Sequence, residues 1–235
     1  MPHVAPPDLT LPADEARHLA QVLRVESGDS VVVFDGRGGE WDARVHGVGR
    51  HEVAIEILQP RTPVPEPATR VTLAIGLLKG DAMDAVVRDA TALGIAEIVP
   101  MISAHCAVPK RARGGEAVAR WQRVAIAAAK QCGRATLPGI AAVTPWSDVL
   151  CRAADRRFIC VEPIYPGAPM PVFAAAPPTA LLLVGPEGGW APDEVAAARL
   201  AGYAGIQLGP RILRAELAPL VALSQLWAAL GAATT

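Results

Sequence analysis

The stretch LLLVGPEGGW, residues 181–190, joins a run of aliphatic residues to a loop rich in glycine and proline. The stretch IQLGPRILR, residues 206–214, repeats this arrangement further along the chain. Short aliphatic runs bounded by glycine and proline are typical of buried strands. Ligands of open α/β sheets bind beyond the carboxyl ends of the strands, where such loops lie. The two stretches therefore predict an α/β domain with a ligand site at one edge of its sheet.

These two loops are suited to a nucleoside ligand. Glycines let a ligand approach the backbone, whose N–H and C=O groups can bond to an adenine ring or to ribose hydroxyls. A tight turn is the alternative for either loop taken alone. A dinucleotide is disfavoured, because the chain has no G-x-G-x-x-G and no acid at a strand end about 20 residues after Gly185. We expect Gly188 to face the ligand or to require a positive φ, so that Gly188→Val loses binding without unfolding.

The organisation of the chain changes at a proline-rich segment, residues 60–67, which is typical of a stiff linker. Before it, a helix over residues 14–23 and strands at 30–34, 40–45 and 53–58 predict a small β-barrel or sheet. After it, strands and helices alternate, which predicts a mainly parallel sheet. The expected strands are 71–78, 95–101, 158–162, 180–184 and 205–208, and the expected helices are 81–94, 116–132, 192–200 and 215–230. The predicted domains are 1–66 and 67–235.

A glycine-rich loop also occurs in the first domain, in FDGRGGEW at residues 34–41. Such loops can hold phosphate, but a phosphate loop of the dinucleotide type opens a helix. Here the following residues Trp41, Ala43 and Val45 alternate as in a strand, which favours a β-hairpin.

Composition excludes several classes of protein. The four cysteines, Cys106, Cys132, Cys151 and Cys160, form no Cys-x-x-Cys pair, so neither a zinc site nor a disulfide framework is expected. No metal is predicted. The most apolar stretch, residues 215–233, is interrupted by Glu216 and Pro219, so a membrane span is not expected either. Without a basic, apolar leader at its start, the chain is predicted to be a soluble cytoplasmic protein.

Charge is unevenly distributed, although the formal net charge is only −1. Residues 1–60 carry ten acids and five basic residues, whereas residues 106–134 carry seven Lys or Arg and one acid, Glu116. On a helix over 116–132, Arg120, Arg123 and Lys130 share one face, while Trp121 and Ala125 lie on another. A solvated face is the ordinary explanation. The segregation of charge favours a surface that follows the phosphates of a nucleic acid.

The chain also resembles the RsmE family of 16S ribosomal RNA (uracil-N3) methyltransferases, within the SPOUT superfamily of trefoil-knotted methyltransferases. The resemblance runs through nearly the whole chain. Its motifs are HLAQVLR at 18–24, FDGRGGEW at 34–41, KGD at 79–81, QCGR at 131–134, GPEGGW at 185–190 and LGPRILRAE at 208–216. Leu217, Ala92, His105 and Lys130 depart from the family pattern.

The resemblance implies a PUA-like barrel, a knotted methyltransferase domain, an obligate homodimer and the cofactor S-adenosylmethionine. The residues expected to bind the cofactor are Val161, Glu162, Gly185, Pro186, Glu187, Gly188, Gly189, Leu208, Gly209, Ile212, Leu213 and Arg214. Those expected to contact RNA are Arg24, Lys79, Lys110, Arg111, Arg120, Arg123, Lys130 and Arg134. We expect the final helix, with Leu220, Leu223, Leu226, Trp227 and Leu230, to bury part of its surface on the partner. An internal core is the alternative, because leucines at this spacing suit it equally well.

Arg214 is the candidate catalytic residue, because a fixed positive charge would stabilise the uracil anion formed when N3 loses its proton. A salt bridge with Glu216 or with an acid across the dimer is the alternative role. Glu216 or Glu187 is expected to orient Arg214 or to relay the proton. Two other functions stay open: methylation of a ribose 2′-hydroxyl by a related knotted enzyme, and a non-catalytic RNA-binding protein of ribosome assembly. The second would leave the two ligand loops without a purpose. The expected substrate is one uridine near the 3′ end of 16S RNA in the assembled small subunit.

Overall fold

The structure is a computed structural model of the 235-residue chain and describes residues 8–11, 13–49, 52–107 and 114–231. The chain forms two compact units. The first contains the residues up to Pro65 together with Gly133–Thr136, and the second contains Glu66–Cys132 and the residues from Leu137 onward. The short segment Gly133–Thr136 therefore belongs with the first unit, although the sequence assigns it to the second domain.

The first unit is built on an antiparallel sheet with the order β1-β4-β3-β2. Its strands are β1 (Asp8–Thr10), β2 (Ser30–Phe34), β3 (Glu40–Val48) and β4 (Val53–Pro60). Helix α1 (Ala13–Arg17) continues as a π-helix over His18–Leu23. Among the described residues, the edge strands β1 and β2 do not pair with each other. In this part of the chain the unit is thus an open sheet, one of the two alternatives that the strand pattern allows, whereas the family resemblance implies a barrel.

The glycine-rich loop between β2 and β3 is a hairpin turn, as the sequence predicts. The Asp35 carboxylate accepts hydrogen bonds from the backbone N–H of Arg37 (2.7 Å) and Gly39 (2.9 Å). Gly36 and Gly38 take φ values of 73° and 101°, which side chains with a Cβ rarely adopt. The loop also pairs with the Gly133–Thr136 segment through the Gly38 N–H and the Ala135 carbonyl, at 3.1 Å. Its glycines thus serve packing within this unit.

The second unit is an α/β domain with a parallel seven-stranded sheet. The strand order is β11-β9-β10-β5-β6-β7, and β8 also pairs with β6. The strands are β5 (Arg70–Gly76), β6 (Glu97–Ile102), β7 (Gly139–Ile140), β8 (Thr144–Pro145), β9 (Arg156–Cys160), β10 (Thr179–Val184) and β11 (Ala204–Ile206). The helices are α2 (Ala82–Ala92), α3 (Gly115–Cys132), α4 (Trp146–Leu150), α5 (Pro192–Leu200) and α6 (Ala218–Ala229). The predicted alternation of strands and helices is confirmed; α4 and the two-residue strands were not predicted.

Both faces of this sheet are buried, which explains why β10 is a continuous aliphatic run. Leu182 and Val184 belong to a core that includes side chains of α2, α3 and α6. Leu181 and Leu183, which point to the opposite face, pack with side chains of α4 and α5. Each such leucine contributes about 1.5–3 kcal/mol by its burial. The core therefore fixes β10 in the middle of the sheet.

One face of the final helix packs against the core of the same chain. Leu223 and Leu226 are 0% exposed and Trp227 is 8% exposed in the single chain. The Trp227 indole N–H donates to the Leu93 carbonyl at 2.7 Å, which ties α6 to the end of α2. These three side chains therefore lie in the internal core. Burial of another part of this helix on a partner stays a prediction. Among the described helices, none is long and apolar enough to cross a membrane.

Candidate active site

Three loops that follow neighbouring strands enclose a cavity of about 730 Å³. Strand β9 lies between β11 and β10, so the carboxyl ends of the three parallel strands meet at one edge of the sheet. The sequence predicts a ligand site at this edge. All twelve residues assigned to the cofactor line the cavity, together with Glu216: Val161, Glu162, Gly185, Pro186, Glu187, Gly188, Gly189, Leu208, Gly209, Ile212, Leu213 and Arg214.

Eight other residues of the wall were not assigned to the site from the sequence: Ala82, Cys160, Pro163, Val184, Trp190, Arg211, Ala215 and Ala218. Arg211 lies inside the quoted motif, between Gly209 and Ile212, and its position there was the available signal. Ala82 lies at the start of α2, far in sequence from the loops after β9, β10 and β11. Nothing in its own sequence context marks it as a site residue.

The loop after β10 approaches its neighbours closely because it is built of glycines. A Cβ on Gly188 would lie 2.7 Å from the His105 Cβ and 2.9 Å from the His105 carbonyl oxygen. Gly188 therefore makes room for the backbone near His105, and it does not have a positive φ. The positive φ offered as one explanation is wrong, whereas Gly188 does line the cavity and its contact with a ligand stays a prediction. Gly188→Val would disturb packing against His105 as well as any ligand. Gly189 does need its glycine, since its φ is 70°.

Glu187 holds the loop after β10 against the start of α2. Its Oε1 accepts a hydrogen bond from the Lys79 backbone N–H at 2.8 Å. This contact joins GPEGGW to KGD, two motifs separated by more than a hundred positions, and so links two walls of the site. One oxygen of Glu187 is thus committed to holding the backbone.

Glu162 and Trp190 join the loops after β9 and β10. Glu162 Oε1 accepts a hydrogen bond from the Trp190 backbone N–H at 3.2 Å, and the Trp190 indole N–H donates to the Cys160 carbonyl at 2.8 Å. Within the described part of the chain, Glu162 Oε2 is the one buried side-chain oxygen or nitrogen that has no hydrogen-bond partner.

Burial raises the pKa of the Cys160 thiol to about 12, so this cysteine stays a neutral thiol near neutral pH and is not a nucleophile.

The loop after β11 carries the candidate catalytic residues. Gly209 has a φ of 127°, and a Cβ added there would meet no atom within 4 Å. The backbone conformation, and not a lack of space, therefore requires a glycine at this position. The Arg214 side chain is 86% exposed, and its Nη1 lies 3.7 Å from Glu216 Oε1. The Arg214 carbonyl accepts hydrogen bonds from Leu217 and Ala218 (3.0 Å each), where α6 begins. The backbone of Arg214 is therefore fixed while its guanidinium is accessible.

The basic helix α3 is amphipathic, as predicted: Trp121, Ala125 and Ala128 are buried, whereas Arg123 and Lys130 are exposed. Arg120 differs from its neighbours, because it donates to Asp84 Oδ2 and to Asp81 Oδ1, at 2.8 Å each. These hydrogen bonds raise the pKa of the Arg120 guanidinium. Asp81, the residue that precedes α2, makes no side-chain capping bond and pairs with Arg120 instead.

The other expected RNA contacts have different surroundings. Arg24 and Lys79 are exposed, whereas Arg134 is only 8% exposed. Arg134 is therefore not part of an exposed basic surface in this conformation, and its contact with RNA stays a prediction. Lys110 and Arg111 lie outside the described residues.

Comparison with known proteins identifies the class of protein to which this fold and these three loops belong. Residues 65–227 match the family model described as an RNA methyltransferase domain, and residues 11–58 match the model described as an RNA methyltransferase PUA domain. The PUA-like character of the first unit is thus shown even though its described sheet is open.

Full-length relatives identify the family. The chain is 33% identical over 229 residues to ribosomal RNA small subunit methyltransferase E of Synechocystis, covering 93% of this chain and 72% of the relative. A structure of ribosomal RNA small subunit methyltransferase E from Neisseria gonorrhoeae, bound to S-adenosyl methionine, is 31% identical with a TM-score of 0.88 and covers 97% of this chain and 95% of that one. A putative methyltransferase from Legionella pneumophila, in complex with the same cofactor, is 28% identical with a TM-score of 0.86 at the same coverage. The chain belongs to the ribosomal RNA small subunit methyltransferase E family, which confirms the resemblance drawn from the sequence.

Proposed function

We propose that this protein transfers a methyl group from S-adenosylmethionine to N3 of one uridine of 16S ribosomal RNA, in the assembled small subunit. The observation that carries the proposal is the single cavity formed by the loops after β9, β10 and β11, in a chain of this family. Bound there, the cofactor supplies an electrophilic methyl group on a sulfonium. No metal is required for such a displacement, in which positioning supplies much of the acceleration.

The residues of the cavity suit this cofactor. Gly185 and Gly189 line it, and Leu208 and Leu213 provide apolar surface of the kind that covers an adenine ring. Glu162 Oε2, buried without a partner among the described residues, requires a hydrogen-bond donor that a ligand can supply.

Arg214 is proposed to act on the acceptor base. Uracil N3 attacks only after losing its proton, and a guanidinium near O2 or O4 stabilises the resulting anion. The 86% exposure of Arg214 leaves its guanidinium free to meet a base that arrives from solvent. Glu216, with Oε1 at 3.7 Å, is the better of the two proposed orienting acids, because Glu187 already holds the Lys79 N–H.

RNA is proposed to contact Arg24, Lys79, Arg123 and Lys130, which are exposed, together with Lys110 and Arg111. Such phosphate contacts position an RNA without specifying its sequence, so a folded site on the small subunit is the fitting substrate. We also infer a cytoplasmic homodimer with a knotted chain, as the family resemblance implies. Ile164 and Ile212, 84% and 78% exposed, are apolar surface suited to a second copy.

The test is transfer of a tritiated methyl group to small subunits that lack this methyl, compared with naked 16S RNA and transfer RNA. The proposal expects subunits to be the preferred acceptor and activity to fall steeply with salt, because phosphate contacts release counterions. Preference for transfer RNA, or a methyl recovered on ribose, would show that the substrate is wrong even though the family is right.

A further inference from the structure

Glu162 combines two features that the proposed reaction does not yet explain. It stands two residues beyond the end of β9, on the wall of the cavity. One carboxylate oxygen, Oε1, takes the Trp190 N–H, while Oε2 is buried and has no partner among the described residues. A buried polar atom without a hydrogen bond lowers stability, so a native structure retains one only where something else compensates.

The surroundings hold this carboxylate in place. A Cβ on Gly189 would lie 2.5 Å from Glu162 Oε1, so only glycine lets the loop after β10 come this close. Trp190, whose N–H meets Oε1, is itself anchored by its indole bond to Cys160. The carboxylate is therefore positioned before any ligand arrives, and pre-organisation of this kind favours binding.

The placement matches a known way of holding a nucleoside. In nucleotide-binding sheets, an acid at the end of a strand beside a glycine-rich loop accepts a hydrogen bond from a ribose hydroxyl. The sequence shows no such acid after Gly185. The structure supplies one from the preceding strand, because β9 and β10 are parallel neighbours and their ends meet.

We propose that Glu162 Oε2 accepts a hydrogen bond from a ribose hydroxyl of the cofactor while Oε1 keeps the Trp190 N–H, an inference that rests on the proposed function. Glu162 is then a specificity-determining residue. A ligand without the hydroxyl leaves the buried oxygen unpaired and binds about 10- to 100-fold more weakly, as expected for a hydrogen bond to a charged group.

The experiment is calorimetry with S-adenosylhomocysteine and its 2′-deoxy and 3′-deoxy analogues. The wild type should bind at least one deoxy analogue about 10- to 100-fold more weakly than the parent ligand. Glu162→Ala should bind the parent and that analogue equally. Glu162→Gln keeps an acceptor for Trp190 but offers a weaker neutral bond, so it should retain only part of the discrimination. Asp193→Asn is the control, since Asp193 is an exposed acid in the first turn of α5 that is not part of the cavity wall, and it should discriminate as the wild type does.

The outcomes separate the two proposals. If the wild type binds neither S-adenosylmethionine nor S-adenosylhomocysteine, the proposed function fails, and this inference fails with it. If the wild type binds them but does not discriminate against either deoxy analogue, only this inference is overturned, and the result does not depend on whether a variant folds. The effect of Glu162→Gln should also persist with 5′-methylthioadenosine, which lacks the amino-acid part. Its disappearance there would assign Oε2 to the ammonium group and overturn the ribose contact.

Discussion

Arg214 and Glu187 show how differently charged residues of one site can be used. Both were assigned to the site from their motifs, and both line the cavity. One carboxylate oxygen of Glu187 accepts a hydrogen bond from the Lys79 N–H. Arg214, in contrast, has a fixed backbone and a side chain that is 86% exposed. The sequence could not separate these roles, because the Lys79 contact depends on how distant segments fold together.

Arg214→Ala should lower the rate of methyl transfer by about 10²–10³-fold, the usual cost of removing one electrostatic interaction with a transition state. The affinity for S-adenosylmethionine should change little, because the Arg214 side chain is 86% exposed and its ion-pair partner is Glu216, at 3.7 Å. Single-turnover rates at saturating cofactor, with affinity from calorimetry, measure the two effects separately.

Arg211→Ala is the control for this substitution. It removes a guanidinium from the same loop, but Arg211 has no orienting acid within ion-pair distance in the described part of the chain, so the loss of rate should be smaller. If Arg214→Ala abolishes cofactor binding while turnover at saturation is normal, Arg214 is a cofactor ligand and not a catalytic residue.

Helix α3 shows what periodicity can and cannot predict about an element. Its bounds and its buried face follow from the spacing of Trp121, Ala125 and Ala128. Its basic face is less uniform than the spacing indicates, because Asp81 and Asp84 of the α2 region neutralise Arg120. Which cation is paired depends on the packing of α2 against α3, and the periodicity of α3 alone carries no such information.

Arg123→Ala should therefore weaken binding to the small subunit and make log affinity fall less steeply with log salt. The slope should decrease by about 0.7–0.9, because the variant neutralises one phosphate fewer. Arg120→Ala is matched in charge and helix position, but it should leave the slope nearly unchanged, since Arg120 is held by Asp81 and Asp84. Filter binding over a salt series measures both slopes. An equal decrease of slope in the two variants would mean that RNA displaces the aspartates and that the distinction is wrong.

At the scale of the whole molecule, the α/β class and the edge of the sheet that carries the site could be predicted from two motifs. Each motif joins an aliphatic run to a glycine-rich loop, and parallel strands bring such loops together. Other features depend on long-range packing. They are the placement of Gly133–Thr136 in the first unit, the open sheet of that unit and the burial of Leu223 and Leu226 within the chain. Only the family resemblance implies the knot, the homodimer and the closure of the barrel. The knot and the homodimer stay predictions.

The central claim, that this protein methylates N3 of one uridine of 16S RNA, is tested most directly in cells. Nucleotides of small-subunit RNA would be mapped by mass spectrometry in a strain that lacks the gene and in the same strain carrying the wild-type or the Arg214→Ala protein. We predict that one uridine near the 3′ end loses an N3 methyl group when the gene is absent, and that the wild-type protein restores it but Arg214→Ala does so poorly. An unchanged N3 methylation pattern without the gene, or a methyl group missing from a ribose or from transfer RNA instead, would contradict it.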